Sequence, residues 1–296
     1  MHEFTIVRAA DAAAFLAATL PLRLADPVNT NVLGSIAESA VDGSRRYEAE
    51  YWWLVEHHGA VAGAAVHTPH YRPVLSPMPE AAAPLLADAM LAQCPGIRGV
   101  TGPEAPALAF ARRVALRTGH DATENTLREL IYVLGSHTPR AGVAGRARAA
   151  TPEDVPLLID WFTQFGLEAL GSIHTVTEED VLRRLEHRDM LLWLVDEAPV
   201  AMAGHAALTP SPTGLIGRIG PVFTAKEQRG HGFGAAITSA MIEHLQGLQC
   251  ASILLYTDAA YEQSNKVYRA LGFAPVGSVV ELGGVTGLDA PGPPST

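Results

Sequence analysis

The stretch EQRGHGFGAAITSAMIEHL, residues 227–245, decides how this chain is read. Ile237, Met241, Ile242, Leu245 and the following Leu248 recur at helical spacing, while the preceding GLIGRIGPVFT, residues 214–224, reads as a buried strand. Gly230, Gly232 and Gly234 therefore fall in a strand-to-helix turn. The first N–H groups of a helix have no internal partner, and the aligned peptide dipoles favour an anion there. Glycine lets the backbone come close to such an anion and adopt positive φ. The turn has the design of a phosphate cradle. It is not a Walker A loop, because no Gly-Lys-Ser/Thr closes it. It is not a dinucleotide fingerprint either, because the pattern is GxGxG rather than GxGxxG and comes late in its half of the chain.

Composition bounds the rest. A length of 296 residues implies two domains, and 48% hydrophobic with 18% charged residues is the balance of a globular protein. The N-terminal MHEFTIVRAADAAAFLAATL lacks the basic and continuously apolar regions of a secretion signal, and no run reaches the roughly 20 apolar residues of a membrane span. Cys94 and Cys250 have no metal-binding spacing. A cytoplasmic protein without a metal is expected. The formal charge of −10 disfavours nucleic acid and anionic membranes as partners, and mildly favours a cationic substrate.

The chain also repeats itself. Residues 53–69, WLVEHHGAVAGAAVHTP, and 193–210, WLVDEAPVAMAGHAALTP, share Trp-Leu-Val-acid, an Ala/Gly-rich apolar run and Thr-Pro. Each reads as a hairpin turning at Glu56–Gly59 or Asp196–Pro199. Helical segments precede both, and Thr151 with Asp154 has the spacing of a capping box. Each half is predicted to run strand, helix, helix, hairpin, strand, helix, strand, helix, strand. The segment GSHTPRAGVAGRA, residues 135–147, has no apolar period and reads as a linker.

The pattern R-G-x-G-x-G at Arg229–Gly234 resembles the acetyl-CoA pyrophosphate loop of the GCN5-related N-acetyltransferases (GNAT). ILLYTDAAYEQSNKVYRALGF, residues 253–273, resembles the closing signature of that family, a helix bearing Asn and Tyr and ending in Gly-Phe. The resemblance implies an α/β protein of two tandem GNAT-like domains, each a mixed, mostly antiparallel sheet flanked by helices. Residues 1–138 would be a degenerate copy and 146–284 the acetyl-CoA-binding catalytic domain. It further implies that the backbone of Val222, Phe223 and Thr224 receives the pantetheine arm, and that Arg229, Gly230, His231, Gly232, Phe233 and Gly234 hold the pyrophosphate. Asn265 on the closing helix would join the cofactor contacts, and Tyr268 would protonate the departing thiolate. The position seven before Tyr268, often Asn in the family, is Tyr261 here.

Acyl transfer to an amine needs a neutral nucleophile, a polarised carbonyl and an acid for the sulfur. Family members transfer directly, so no nucleophilic Cys or Ser is required. Glu168, His174, His205 and Glu281 are candidates for the acceptor side. The first half places Pro77, Pro79 and Glu80 where the cradle would be, so its anion site reads as lost. The expected activity is N-acetylation of a primary amine on a small molecule. A protein or peptide acceptor and a non-catalytic acyl-CoA-binding module are the alternatives, and the protein is expected to be a monomer or homodimer.

Overall fold

Strands and helices follow one another twice in the same order, except that the second half inserts the short β10. The computed structural model describes residues 3–123, 127–170 and 176–284, with residues 169 and 170 as backbone only. The first half comprises β1 (Phe4–Arg8), α1 (Ala12–Ala25), α2 (Asn31–Asp42), β2 (Tyr51–His57), β3 (Ala60–His67), β4 (Val74–Leu75), α3 (Ala83–Gln93), β5 (Gly99–Gly102), α4 (Glu104–Thr118) and β6 (Leu127–Leu134). The second comprises β7 (Arg146–Ala149), α5 (Val155–Leu170), α6 (Glu178–Glu186), β8 (Met190–Val195), β9 (Ala198–His205), β10 (Thr209–Ser211), β11 (Gly214–Thr224), α7 (Phe233–Gly247), β12 (Cys250–Asp258), α8 (Glu262–Ala270) and β13 (Phe273–Gly283).

The two hairpins carry the duplication most plainly. His58 and Gly59 have φ of 50° and 79°, and Asp196 and Glu197 have 47° and 62°, so each hairpin closes through two consecutive left-handed residues. That geometry matches the twist of the flanking strands. The turns are tighter than the sequence implies, because Glu56, His57, Ala198 and Pro199 lie within strands. Before α5, the Asp154 carboxylate accepts hydrogen bonds from Thr151 N and Oγ1 at 2.8 and 3.1 Å, as the capping-box spacing predicts. Arg148 grips the same carboxylate at 2.6 and 2.8 Å and holds its pKa below the usual carboxylate value.

Among the described residues the strands form one sheet in the order β1-β2-β3-β4-β5-β13-β6-β12-β11-β9-β8-β7, with β10 paired to β11. Pairing is antiparallel except for β4 with β5 and β11 with β12. The last strand of each half is exchanged. β6 lies between β12 and β13 of the second half, with Tyr132 opposite Leu255 on one side and Pro275 on the other. β13 in turn pairs with β5 of the first half.

Alternating side chains serve two layers of helices. Trp52, Leu54 and Val66 face α1 and α2, whereas Val55, Ala65 and Val100 face α3 and α4. In the second half Leu192, Met202 and Phe223 face α5 and α6, whereas Leu191, Ala203, Ile219 and Leu255 face α7. Tyr132, from the first half of the chain, is fully enclosed in the α7 core. Ile237, Met241, Ile242 and Leu245 are buried as their spacing predicts, but Leu248 is exposed because α7 ends before it. The segment read as a linker is docked rather than loose. His137 Nε2 lies 3.0 Å from Ser239 Oγ on α7, Trp193 Nε1 donates to Ala144 O at 2.9 Å, and residues 146–147 already belong to β7. Among the described residues no helix is long and apolar enough to cross a membrane.

Because each half lacks a central strand without the other, fragments 1–138 and 139–296 are each expected to show no cooperative thermal transition alone. Co-expression is expected to restore a soluble pair, with both measurable by circular dichroism and size-exclusion chromatography.

Candidate active site

The glycine turn leads directly into α7. Gly232 is the N-cap residue with φ of 84°, and Gly230 has φ of 86°. A side chain at either would be strained, and at Gly232 a Cβ would also lie 3.4 Å from Val143 of the docked segment. At Gly234 a Cβ would come within 3.2 Å of Thr224 Oγ1, which ties the turn closely to the end of β11. His231 is exposed, with Nδ1 3.2 Å from Gln228 O and its ring stacked 5.5 Å from that of Phe233. Phe233 itself is buried against the α7 core, so it anchors the turn from below.

Arg229 is held in place by two contacts. Its Nε donates to Thr224 O at 3.1 Å, and its Nη2 donates to Glu168 at 2.6 Å. Glu168, expected on the acceptor side, therefore stands beside the glycine turn. His174 lies outside the described residues.

β11 supplies a free backbone edge at the same end. It pairs with β12 from Leu215 to Ile219, opposite Cys250 to Leu255, and no further. Val222, Phe223 and Thr224 pair only with Ala203, Met202 and Ala201 of β9. The register against β9 shifts between Ile219 and Val222, across the cis Gly220–Pro221 bond. β12 continues past the split with β6 alone, pairing Tyr256, Thr257 and Asp258 with Ile131, Leu130 and Glu129. The parallel strands are thus splayed, and at 222–224 the inner side of β11 has no strand partner, leaving room for an extended chain beside the Thr224 O–Arg229 contact.

Tyr268 packs on the α7 side of this split, with ring centroids 6.5 Å from Tyr132 and 6.2 Å from Phe273. It is half-buried, and burial pushes its pKa up to about 12, so the phenol keeps its proton at neutral pH. Asn265 has a supporting place. It is buried, and its Nδ2 donates to Asp258 O and Tyr261 O at 2.9 and 3.0 Å, which fixes the β12–α8 turn. Tyr261 is exposed. His205 lies opposite Ile219, so it points to the α7 side, where its ring is 5.7 Å from His244. Burial lowers its pKa. Burial raises both cysteine thiols, which disfavours a thiolate nucleophile.

On the other side of the sheet lies a cavity of about 330 Å³. Val32 and Ile36 of α2 form part of its wall, Arg218 and Tyr256 lie where β11 and β12 separate, and Glu129 and Glu281 enter from β6 and β13. Contacts between the halves hold α2 over it. Arg218 donates to Asn31 Oδ1 and Ser35 Oγ at 3.0 Å each, Asn31 Nδ2 donates to Thr209 Oγ1 at 2.8 Å, and Tyr256 OH donates to Val28 O at 3.3 Å. Glu281, expected on the acceptor side, does line this space, paired with Arg72 at 2.9 Å. Glu129 was not singled out by the sequence, because an acid alternating with apolar residues in a strand reads as a solvent-facing position. Among the described residues no group of His, Cys, Asp and Glu is arranged to hold a metal ion.

Residues 157–273, which contain the turn, the splay and Tyr268, match the family described as Acetyltransferase (GNAT) family. That stretch, 117 of the 296 residues, is similar to the GNAT family. Mycothiol acetyltransferase from Parafrankia sp. (strain EAN1pec) is 38% identical over 72 residues, covering 23% of this chain and 22% of that protein. The protein of the same name from Pseudarthrobacter chlorophenolicus is 43% identical over 58 residues, covering 20% and 18%. The matched part of the chain thus spans about a fifth of the length of these curated relatives. The fold likeness extends much further. A tandem GNAT protein from the clavulanic acid biosynthesis pathway is 16% identical, with 97% of this chain and all of that one covered at a TM-score of 0.58. A GNAT-family acetyltransferase from Colwellia psychrerythraea is 12% identical, with coverage of 94% and 99% at a TM-score of 0.55.

In the glycine turn, Gly232→Ala is expected to destabilise the protein by about 1–2 kcal/mol, since an L-residue must take the left-handed conformation. Denaturant midpoints compared with Gly247→Ala, inside α7, would measure it.

Proposed function

We propose that the protein is an acetyl-CoA-dependent N-acetyltransferase acting on a primary amine of a small molecule, with the donor bound by residues 146–284. The observation that carries this reading is the coincidence, at one end of β11, of a left-handed glycine turn capping α7, an unpaired strand edge and a half-buried protonated tyrosine. These residues suit the donor. The amides of Gly230–Gly234 and the Arg229 guanidinium would hold the pyrophosphate, and the inner edge of Val222–Thr224 would pair with the pantetheine arm. When bound, acetyl-CoA supplies an activated acyl group on a good leaving thiol.

The protein's own groups divide the remaining work between the faces of the sheet. Tyr268 stands on the α7 side as the proton donor for the departing sulfur. The cavity under α2 stands on the other side, and its bounded volume suits a small acceptor better than a folded protein surface. The name carried by the curated relatives, mycothiol acetyltransferase, is in keeping with a small-molecule acceptor. Residues 1–138 contribute the roof and part of the wall. The first half has no cradle of its own: Glu80 begins a short helical turn after Pro79, and Met78 presses on the bare backbone of Gly63.

Calorimetric titration with acetyl-CoA is expected to show binding to the parent and none to Gly232→Glu, whose carboxylate would occupy the cradle. No binding to the parent would overturn the reading. Tyr268→Phe is expected to keep the acetyl-CoA affinity and lose about 100-fold in kcat. Glu168→Gln removes a negative charge beside the pyrophosphate position and frees Arg229, so a several-fold tighter acetyl-CoA Kd is expected at low salt. The gain should fade as salt screens it.

A further inference from the structure

We propose that Glu129, carried on the strand that the first half of the chain inserts into the second, is the catalytic base that takes the proton of the acceptor amine. This rests on the acetyltransferase reading above and extends it to the opposite face of the sheet.

Placement is the first argument. β6 is the immediate neighbour of β12 beyond the point where β11 leaves, so it forms the next wall of the split. Within β6, Leu130, Tyr132 and Leu134 turn to the α7 core. The alternation sends Glu129 to the other face, where it lines the cavity with Arg218 and Tyr256. Its register partner across β12 is Asp258, and Tyr256 stands one step along the same face. Tyr268, the proposed acid, packs against Tyr132 on the reverse side. A single strand therefore supports the acid on one face and presents a carboxylate on the other.

The state of the carboxylate is the second argument. Glu281 on β13 is ion-paired with Arg72, whose guanidinium also donates to Gly283 O. Among the described residues, no hydrogen bond or ion pair ties the Glu129 carboxylate. The charged and titratable groups around it are Glu281 on β13, Asp258 and Tyr256 on β12, Arg218 on β11 and Arg72 before β4, with Arg45 and Tyr47 from the α2–β2 connection lining the same cavity. Burial first, then repulsion from Glu281 and Asp258, push its pKa up to about 7 against the opposing pull of Arg218 and Arg72. A base poised there gains and loses a proton at working pH.

The protons balance. As the amine nitrogen bonds to the acetyl carbon, its proton passes to the Glu129 carboxylate. The C–S bond breaks with its electron pair on sulfur, which takes the Tyr268 phenol proton. Exchange with solvent then returns both residues to their starting states, so one amine and one thioester yield one amide and one thiol.

The test compares the parent with Glu129→Gln, using ethanolamine and 2-phenylethylamine as acceptor probes and following thiol release against pH. The parent is expected to show a limb in log kcat/KM that breaks near pH 7, beneath the separate ionisation of the free amine. The variant should lose that break together with about 100-fold or more in rate. Glu281→Gln should move the break to lower pH, because it removes a repelling charge. Independently of turnover, 13C-labelled glutamate carboxyls followed by NMR should show one resonance titrating near pH 7 that is missing from Glu129→Gln. A variant with the parent's rate and pH profile, or a Glu129 resonance titrating with ordinary carboxylates at about 4–5, would overturn the assignment. Calorimetry separates the two levels: unchanged acetyl-CoA binding with such a result refutes Glu129 alone, whereas absent binding in the parent refutes the acetyltransferase reading.

Discussion

The exchange of β6 and β13 is the constraint on which the rest of the structure depends. Without β6, β12 would end as an open edge next to the splay, and the α7 core would lose Tyr132 from its centre. Without β13, β5 would likewise lack its outer partner. Phe/Tyr-sized burial is worth several kcal/mol, and each unpaired buried backbone group adds a cost of about 1–3 kcal/mol. The two halves are therefore one folding unit, although the chain was built by repeating a single pattern.

The first half has Pro77, Pro79 and Glu80 ahead of α3, yet its α2 roofs the cavity through Asn31 and Ser35, and its last strand completes the neighbouring sheet. Arg218 is the keystone of this contact. It is half-buried, its charge is met by Asn31 and Ser35, and its guanidinium lies 5.7 Å from the Tyr256 ring. A cation so placed gives the cavity a positive wall opposite the acidic one formed by Glu129 and Glu281, within a chain whose overall charge is −10.

Much of the fold was legible in local patterns. The paired Trp-Leu-Val hairpins, the capping box at Thr151 and the helix after Gly234 depend on neighbours within a few residues, and the structure has each where the sequence implies it. The glycine turn was legible for the same reason. The acceptor side was not. Asn265 looked like a ligand residue but holds a turn, Glu168 looked like an acceptor group but holds Arg229, and Glu129 gave no signal at all. Their surroundings are set by pairings between residues more than 100 positions apart, such as Glu129 with Asp258 and Val279. A strand alternating LRELIYVL announces two faces, but not that one of them lines the cavity under α2.

The position of β13 also bears on how the chain acquires its structure during synthesis. Phe273–Gly283 leaves the ribosome some 170 residues after β5, its partner, which must wait for it. At a synthesis rate of about 5–20 residues per second, that gap leaves the β5 edge exposed for roughly 10–30 seconds. An open strand edge is a template for wrong pairing. β5 is only four residues long, Gly99–Gly102, with glycine at both ends, and so short an edge offers little to a competing strand. The brevity of β5 is thus a safeguard for the nascent chain as well as a feature of the finished sheet.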